Sequence, residues 1–216
     1  MPNWITNIVT GPRDALESIV GPEYEPGKLS IDFNKVLPWA GEDPPGDDIV
    51  CAAEDMVKGH IASLVDIPLE ETAAYRGLRD GRDQVAIMLR NYRSTGYLHR
   101  MDFACEMWGT KWNACQPEVT LDSTPAKLQF ETAWACPLPV LLEMSRLHPD
   151  ADINVIYADE DIGHNCGTLR LRGGEVVFED IAPRHERNED KAMRAKWQRF
   201  AREVKGWPED ESDTEG

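Results

Sequence analysis

The stretch EVTLDSTPAKLQFETAWACPLPVLLEMSRLHPDADINVIYAD, residues 118–159, decides the fold. Within it, "EVTLD" and "KLQFETAW" flank the short turn "STPA" with Pro125, the pattern of a β-hairpin. "PLPVLLEMSRLHP" opens on proline, whose fixed φ suits a first helical turn, and closes before Pro149, which restricts the residue ahead of it. "INVIYAD" then reads as a strand.

Toward the C-terminus, "GTLRLRGGEVVFEDI" predicts a second hairpin turning at Gly173-Gly174. The second half is therefore β-β-α-β-β-β, assigned to residues 98–182. In "RHERNEDKAMRAKWQRFAREVKGW", Met193, Trp197, Phe200, Val204 and Trp207 alternate spacings of four and three, one apolar seam on a helix over 184–207. So short a seam suits docking on the chain's own sheet; a homodimer through the same helix is the alternative. Residues 208–216, "PEDESDTEG", read as an acidic, solvated, disordered tail.

Toward the N-terminus, "NWITNIVTG" alternates polar and apolar positions and ends at Gly11-Pro12, a strand closed by a turn. "RDALESIVG" places Leu16, Ile19 and Val20 on one helical face before Gly21-Pro22, and "KLSIDFNKVLP" carries Leu29, Ile31 and Phe33 at period two. Residues 1–40 thus predict β-α-β. "WAGEDPPGDD" is a loop by composition, and residues 49–97 read as a helical insertion punctuated by Pro68, Gly77, Gly81 and Gly96.

The balance of 39 acidic against 23 basic residues gives a net charge of −16 in 216 residues. Such a field repels phosphate backbones and draws the chain toward basic surfaces, so generic nucleic-acid binding starts at a disadvantage. The five cysteines are odd in number, none falls in a C-x-x-C pair, and no apolar leader-like stretch follows the first residues, so reduced, mostly buried thiols in a cytosolic protein are expected. No run approaches the roughly 18 apolar residues of a membrane helix.

Three stretches carry candidate chemistry. In "GYLHRMDFACEMWGTKWNAC", Met101, Cys105 and Trp108 share a helical face, Gly109 suits a C-cap, and Thr110, Trp112 and Ala114 resume period two. Trp108 and Trp112 are expected to anchor the helix end and strand start in the core; with Lys111 they also offer a stacking edge for a base or ligand. "DEDIGHNCG", residues 159–167, gathers acids, His164 and Cys166, where a thiolate beside an imidazole or a cation site can be imagined, but no second ligand pair stands at a standard spacing and a polar turn is the simpler reading. In "YRGLRDGRD", Arg76, Arg79 and Arg82 form a basic stripe if the segment is helical. No Walker loop, G-x-G-x-x-G, H-E-x-x-H or G-x-S-x-G occurs, so the sequence supports neither catalysis nor a cofactor, and no metal site is expected.

Taken in order, "MPNWITN", "WGTKWN", "FETAWACPLP" and "YADEDIGHNCG" resemble landmarks of the YubB-like family with a ferredoxin-like domain, carried by conjugative plasmids and bacteriophages. The resemblance implies an α+β fold, a ferredoxin-like antiparallel sheet packed on helices, without an iron–sulfur cluster. It also implies a mobile-element setting in a bacterial cytoplasm and lends no catalytic residue.

Joined to the charge, that setting leads to the expectation of a non-enzymatic anti-defence protein occupying a basic, nucleic-acid-binding surface of a CRISPR or restriction complex. Its expected contacts are Glu42, Asp43, Asp47, Asp48, Asp159, Glu160 and Asp161. The alternative is a nucleic-acid-binding accessory of phage or plasmid replication, using Arg76, Arg79, Arg82, Trp108, Lys111 and Trp112.

Overall fold

The computed structural model describes residues 2–44, 49–64, 73–183 and 191–208, without the side chains of residues 60–64 and 73–74. They divide into two compact units, residues 1–38 with 104–216 and residues 39–103.

The first unit is built on a six-stranded sheet. β1 (Trp4–Gly11) lies between β5 (Ala126–Ala133) and β6 (Ile153–Asp159), β4 (Cys115–Thr120) flanks β5, and β7 (Gly167–Arg172) and β8 (Glu175–Ile181) continue beyond β6. Every neighbouring pair is antiparallel. Helix α1 (Arg13–Glu17) follows β1, and α6 (Leu138–Leu147) joins β5 to β6. Taken as β1-α1-β4-β5-α6-β6, these elements are a βαββαβ chain with β1 central, the ferredoxin-like topology, extended by one further hairpin.

Strand alternation sorts the residues onto two faces. Ile5, Val9, Leu128, Phe130, Ile153, Val155, Leu169 and Leu171 are all buried, as are Leu16 of α1 and Val140, Leu141 and Met144 of α6. Across the sheet, Ala158 and Cys166 pack with Trp197 and Ala201 of α7 (Lys191–Lys205), supported by Phe200 and Val204. The central part of the α7 seam is therefore covered by the chain's own sheet, which leaves Met193 and Trp207 exposed at its ends. Gly173 and Gly174 turn the β7–β8 hairpin with φ of 61° and 86°, the left-handed pair that a two-residue turn requires.

Two expectations fail within residues 1–40. Gly21-Pro22 does not stop a helix: α1 ends at Glu17, and both residues lie inside β2 (Val20–Glu25). Nor does the strand that follows join the main sheet. β2 and β3 (Lys28–Ile31) form their own two-stranded ribbon, and a single 3₁₀ turn, Phe33–Lys35, then turns Phe33 into the core. The strand that completes the crossover from β1, which ends at Gly11, is β4, which begins only at Cys115, so periodicity identified a strand but not its partner.

The second unit spans 39–103, wider on both sides than the expected 49–97. Ala53, Met56 and Val57 of α2 (Cys51–Leu64) meet Val85, Met88 and Leu89 of α4 (Arg82–Thr95), each set at the i, i+3, i+4 spacing of one helical face. Between them lies α3 (Ala73–Gly77), and α5 (Arg100–Phe103) follows α4. Buried Asn91 staples the loop before α2: its amide donates to the Glu42 and Leu98 carbonyls, and its Oδ1 accepts from the Glu42 N–H at 2.7 Å.

Candidate functional site: an aromatic cluster at one end of the sheet

Antiparallel pairing brings the start of β1, the end of β5, the end of β6 and the start of β7 to one end of the first unit. The four stretches that carry the family resemblance meet there. Trp4 comes from β1, Trp134 from the residue after β5, Asp159–Gly167 from the β6–β7 turn, and Lys111 and Trp112 from the bend before β4.

The two tryptophans of "WGTKW" have opposite fates. Trp108 is 1% exposed, stacks edge-on against Phe33 at 5.7 Å and donates its indole N–H to the Leu37 carbonyl at 2.8 Å, a core anchor as expected. Trp112 is 41% exposed, which corrects its reading as a second anchor. Gly109, at φ 74°, ends the helical segment, and a Cβ there would meet Pro139 Cδ at 2.9 Å. The chain then bends through residues 109–114 before β4 begins at Cys115, so the period-two pattern resumes too late to bury Trp112.

Trp134 stands 50% exposed with φ of 69°, a left-handed backbone that a bulky side chain rarely adopts. It is the centre of a three-residue turn closed by Ala135 N–H to the Ala133 carbonyl at 3.0 Å, the strained form of that turn. Its own N–H donates to the Asn3 carbonyl at 2.9 Å. The Thr110 hydroxyl holds the Ala133 carbonyl at 2.8 Å, and the Thr132 hydroxyl holds that of Ala135 at 2.7 Å. This fixed turn leaves Trp134 exposed near Lys111. The ammonium of Lys111 lies 4.8 Å from the ring centre of Trp112 and 5.1 Å from that of Trp134, and Trp4 lies 6.0 Å from Trp112. Lys205 of α7 donates to the Trp4 carbonyl at 3.0 Å and lies over the exposed ring of Trp207.

The expected acidic contacts divide. Asp159 is 5% exposed and works inside the fold, accepting from Asn3 Nδ2, Asn165 Nδ2 and the Asp161 N–H. Glu160 accepts from the Trp4 N–H at 3.0 Å, and it and Asp161 lie on the surface of the same turn. Glu42 and Asp43 belong to the second unit, where each pairs with an arginine: Glu42 with Arg90 at 3.0 and 2.8 Å, Asp43 with Arg100. The Arg90 hydrogen bond holds the Glu42 carboxyl below its ordinary value. Asp47 and Asp48 lie outside the described residues.

The arginine stripe is not a stripe. Helix α3 ends at Gly77 and α4 begins at Arg82 after left-handed Gly81, so Arg76, Arg79 and Arg82 do not share one helix. Arg82 ties the turn itself, donating to the Leu78 carbonyl at 2.8 Å and the Arg76 carbonyl at 3.0 Å.

No activated thiol emerges from "DEDIGHNCG". Burial, with the charge of Asp159 adding to it, pushes the Cys166 thiol up to about 12, and burial does the same to Cys136, so both stay protonated and weakly nucleophilic at neutral pH. All five cysteines are outside disulfides, but Cys51 and Cys105 are exposed, against the expectation of mostly buried cysteines.

A constellation the sequence did not reveal lies in the second unit. Glu54 of α2 and the His99–Asp102 turn bring three possible cation ligands within 4.8 Å of one another. His99, 2% exposed, accepts at Nδ1 from the Asp102 N–H at 3.1 Å. Its Nε2 faces Glu54 Oε1 at 3.5 Å and Asp102 Oδ2 at 3.4 Å without a hydrogen bond among the described residues. A cation ligated at Nε2 would put the ring proton on Nδ1 and cost the Asp102 bond, so the set as it stands is not poised for a cation. Forty-five residues separate Glu54 from His99, and no spacing rule could have joined them.

Among the described residues, no helix is long and apolar enough to cross a membrane. No curated protein matches the chain. Among solved structures, that of a protein api92 from Yersinia pseudotuberculosis is similar, with 12% identity over 85% of this chain and 99% of that one and a TM-score of 0.40. Residues 107–200, which supply Lys111, Trp112, Trp134 and the Asp159–Gly167 turn, match the family model described as the ferredoxin-like domain in Api92-like protein; the match supports a ferredoxin-like family and not the YubB-like name.

Proposed function

We propose that this protein is a non-enzymatic binding protein whose docking face is the aromatic end of the sheet and whose partner presents a basic protein surface. One observation carries the reading: Trp112 and Trp134 both stand exposed against the Lys111 ammonium, the Trp134 turn held by three hydrogen-bonded side chains, in a chain of net charge −16. Exposed tryptophans on a rigid base are the residues that carry most of the energy in protein interfaces, and a surrounding negative field steers a cationic partner toward them. Glu160 and Asp161 are the acids placed at this face; Glu42 and Asp43 are already engaged by arginines.

In the mobile-element setting of the YubB-like resemblance, the partner would be the basic channel of a CRISPR or restriction complex, and the activity its obstruction. The nucleic-acid reading keeps one point in its favour, the lysine between two exposed rings, which resembles a stacking platform.

Parallel titrations of the whole protein with a ten-residue oligolysine and with single- and double-stranded oligonucleotides separate the two. Saturable binding of the peptide, weakened by Glu160→Lys with Asp161→Lys, is expected, without a mobility shift of DNA. A DNA shift that weakens steeply with salt would replace this reading with the nucleic-acid one.

A further inference from the structure

Two indoles from distant parts of the chain, Trp112 and Trp134, lie against one ammonium, that of Lys111, and a third, Trp4, lies 6.0 Å from Trp112. Both ring distances fall within the roughly 6 Å over which a cation is drawn to an aromatic face. Lys111 forms no ion pair among the described residues, so the rings, not a carboxylate, hold its charge. A lone surface lysine in an acidic chain would ordinarily find a carboxylate; this one is directed into an aromatic cleft by its neighbour Trp112 and by a residue, Trp134, kept at φ 69°.

The geometry points to a cage for an alkylammonium group, with Lys111 as its resident plug, which a lysine side chain of a basic partner displaces. This rests on the binding reading above and deepens it by naming the group recognised. The seat of Lys111 shows that the cleft accepts an ammonium on a flexible aliphatic stem, and the net charge of −16 favours cationic visitors over neutral ones. Lys111 is self-competing: an incoming cation meets the cage only in the fraction of molecules whose plug is out, so its apparent affinity falls by that fraction. Removing the plug should raise affinity. Removing a wall should abolish it.

The test uses tetramethylammonium chloride as probe, at constant ionic strength against sodium chloride, read by the indole N–H signals of the full-length protein. Lys111→Met keeps the aliphatic stem and removes the charge. It is expected to bind the probe about tenfold more tightly than the parent, the factor for a plug that is seated about nine-tenths of the time. Trp134→Ala in the same background should lose saturable binding while its remaining indole signals keep their dispersion; Trp112→Leu provides the second wall variant should the first fail to fold. Equal affinity in the parent and Lys111→Met, no saturation in Lys111→Met, or saturation indifferent to both wall variants would overturn the cage. Probe binding without oligolysine binding would leave the cage standing and remove the docking reading. Oligolysine binding that the wall variants weaken, without saturable binding of the probe, would do the reverse.

Discussion

Asn165, itself left-handed at φ 43°, donates its side-chain amide both to the carbonyl of left-handed Trp134 at 3.1 Å and to Asp159 Oδ2 at 2.8 Å. Two unfavourable backbones, each costing about 1–3 kcal/mol, are thus coupled through one side chain to a buried carboxylate. Both positions lie at the end of the sheet that carries the exposed rings, as expected where a conformation is held for function rather than for stability.

Trp134→Gly should be more stable than Trp134→Ala by about 1 kcal/mol, because glycine adopts a positive φ without a Cβ clash while alanine does not. Chemical denaturation of the two variants measures the difference. Equal stabilities would mean that this turn stores no backbone strain.

Asp159→Ala is expected to cost about 2–3 kcal/mol, since it strands the Asn3 and Asn165 amides and the Asp161 N–H at a site 5% exposed. Glu160→Ala and Asp161→Ala, on the surface of the same turn, should each fall within about 0.5–1 kcal/mol of the parent. A urea series across the three substitutions checks the order.

Alkylation should separate the thiols. Cys51 and Cys105 are exposed and should react promptly near neutral pH, whereas Cys136 and Cys166, pushed up to about 12, should react only after denaturation. Mass mapping of the modified positions gives the answer. Rapid labelling of native Cys166 would reopen nucleophilic chemistry at that turn.

The acid limb of stability should carry a contribution from the second unit. Lys58 first, and His99 after it, hold the Glu54 carboxyl below its ordinary 4.5. A depressed folded value means stabilisation that is present above the unfolded value near 4.5 and lost as pH falls through the folded one. Glu54→Gln should therefore be less stable than the parent at neutral pH and converge with it in acid. A constant gap across the titration would show that Glu54 acts by packing alone.

Much of the sheet was legible because its strands are half-buried and alternate, as residues 118–159 do, and because Gly173-Gly174 marks its own turn. The α7 seam was legible for the same reason, since Trp197 and Ala201 repeat on one face. What failed was pairing. Alternation at Leu29 and Ile31 is the same whether a strand joins the main sheet or a separate ribbon, and only the register places it. At the candidate site, residue types alone gave Lys111 beside Trp112, but Trp134 read as the end of a strand. Its outward turn depends on hydrogen bonds from Thr110, Thr132 and Asn165, which local sequence does not announce. The arginine partners of Glu42 and Asp43 were not legible, because composition counts charges and not their pairing.

The most direct measurement is the calorimetric dissociation constant of a ten-residue oligolysine for the full-length protein, compared with its Trp112→Ala, Trp134→Ala double variant at one fixed ionic strength. Loss of two interface anchors predicts a weakening of roughly thirtyfold or more. An unchanged constant in a folded double variant would contradict the assignment of the aromatic end of the sheet as the docking face.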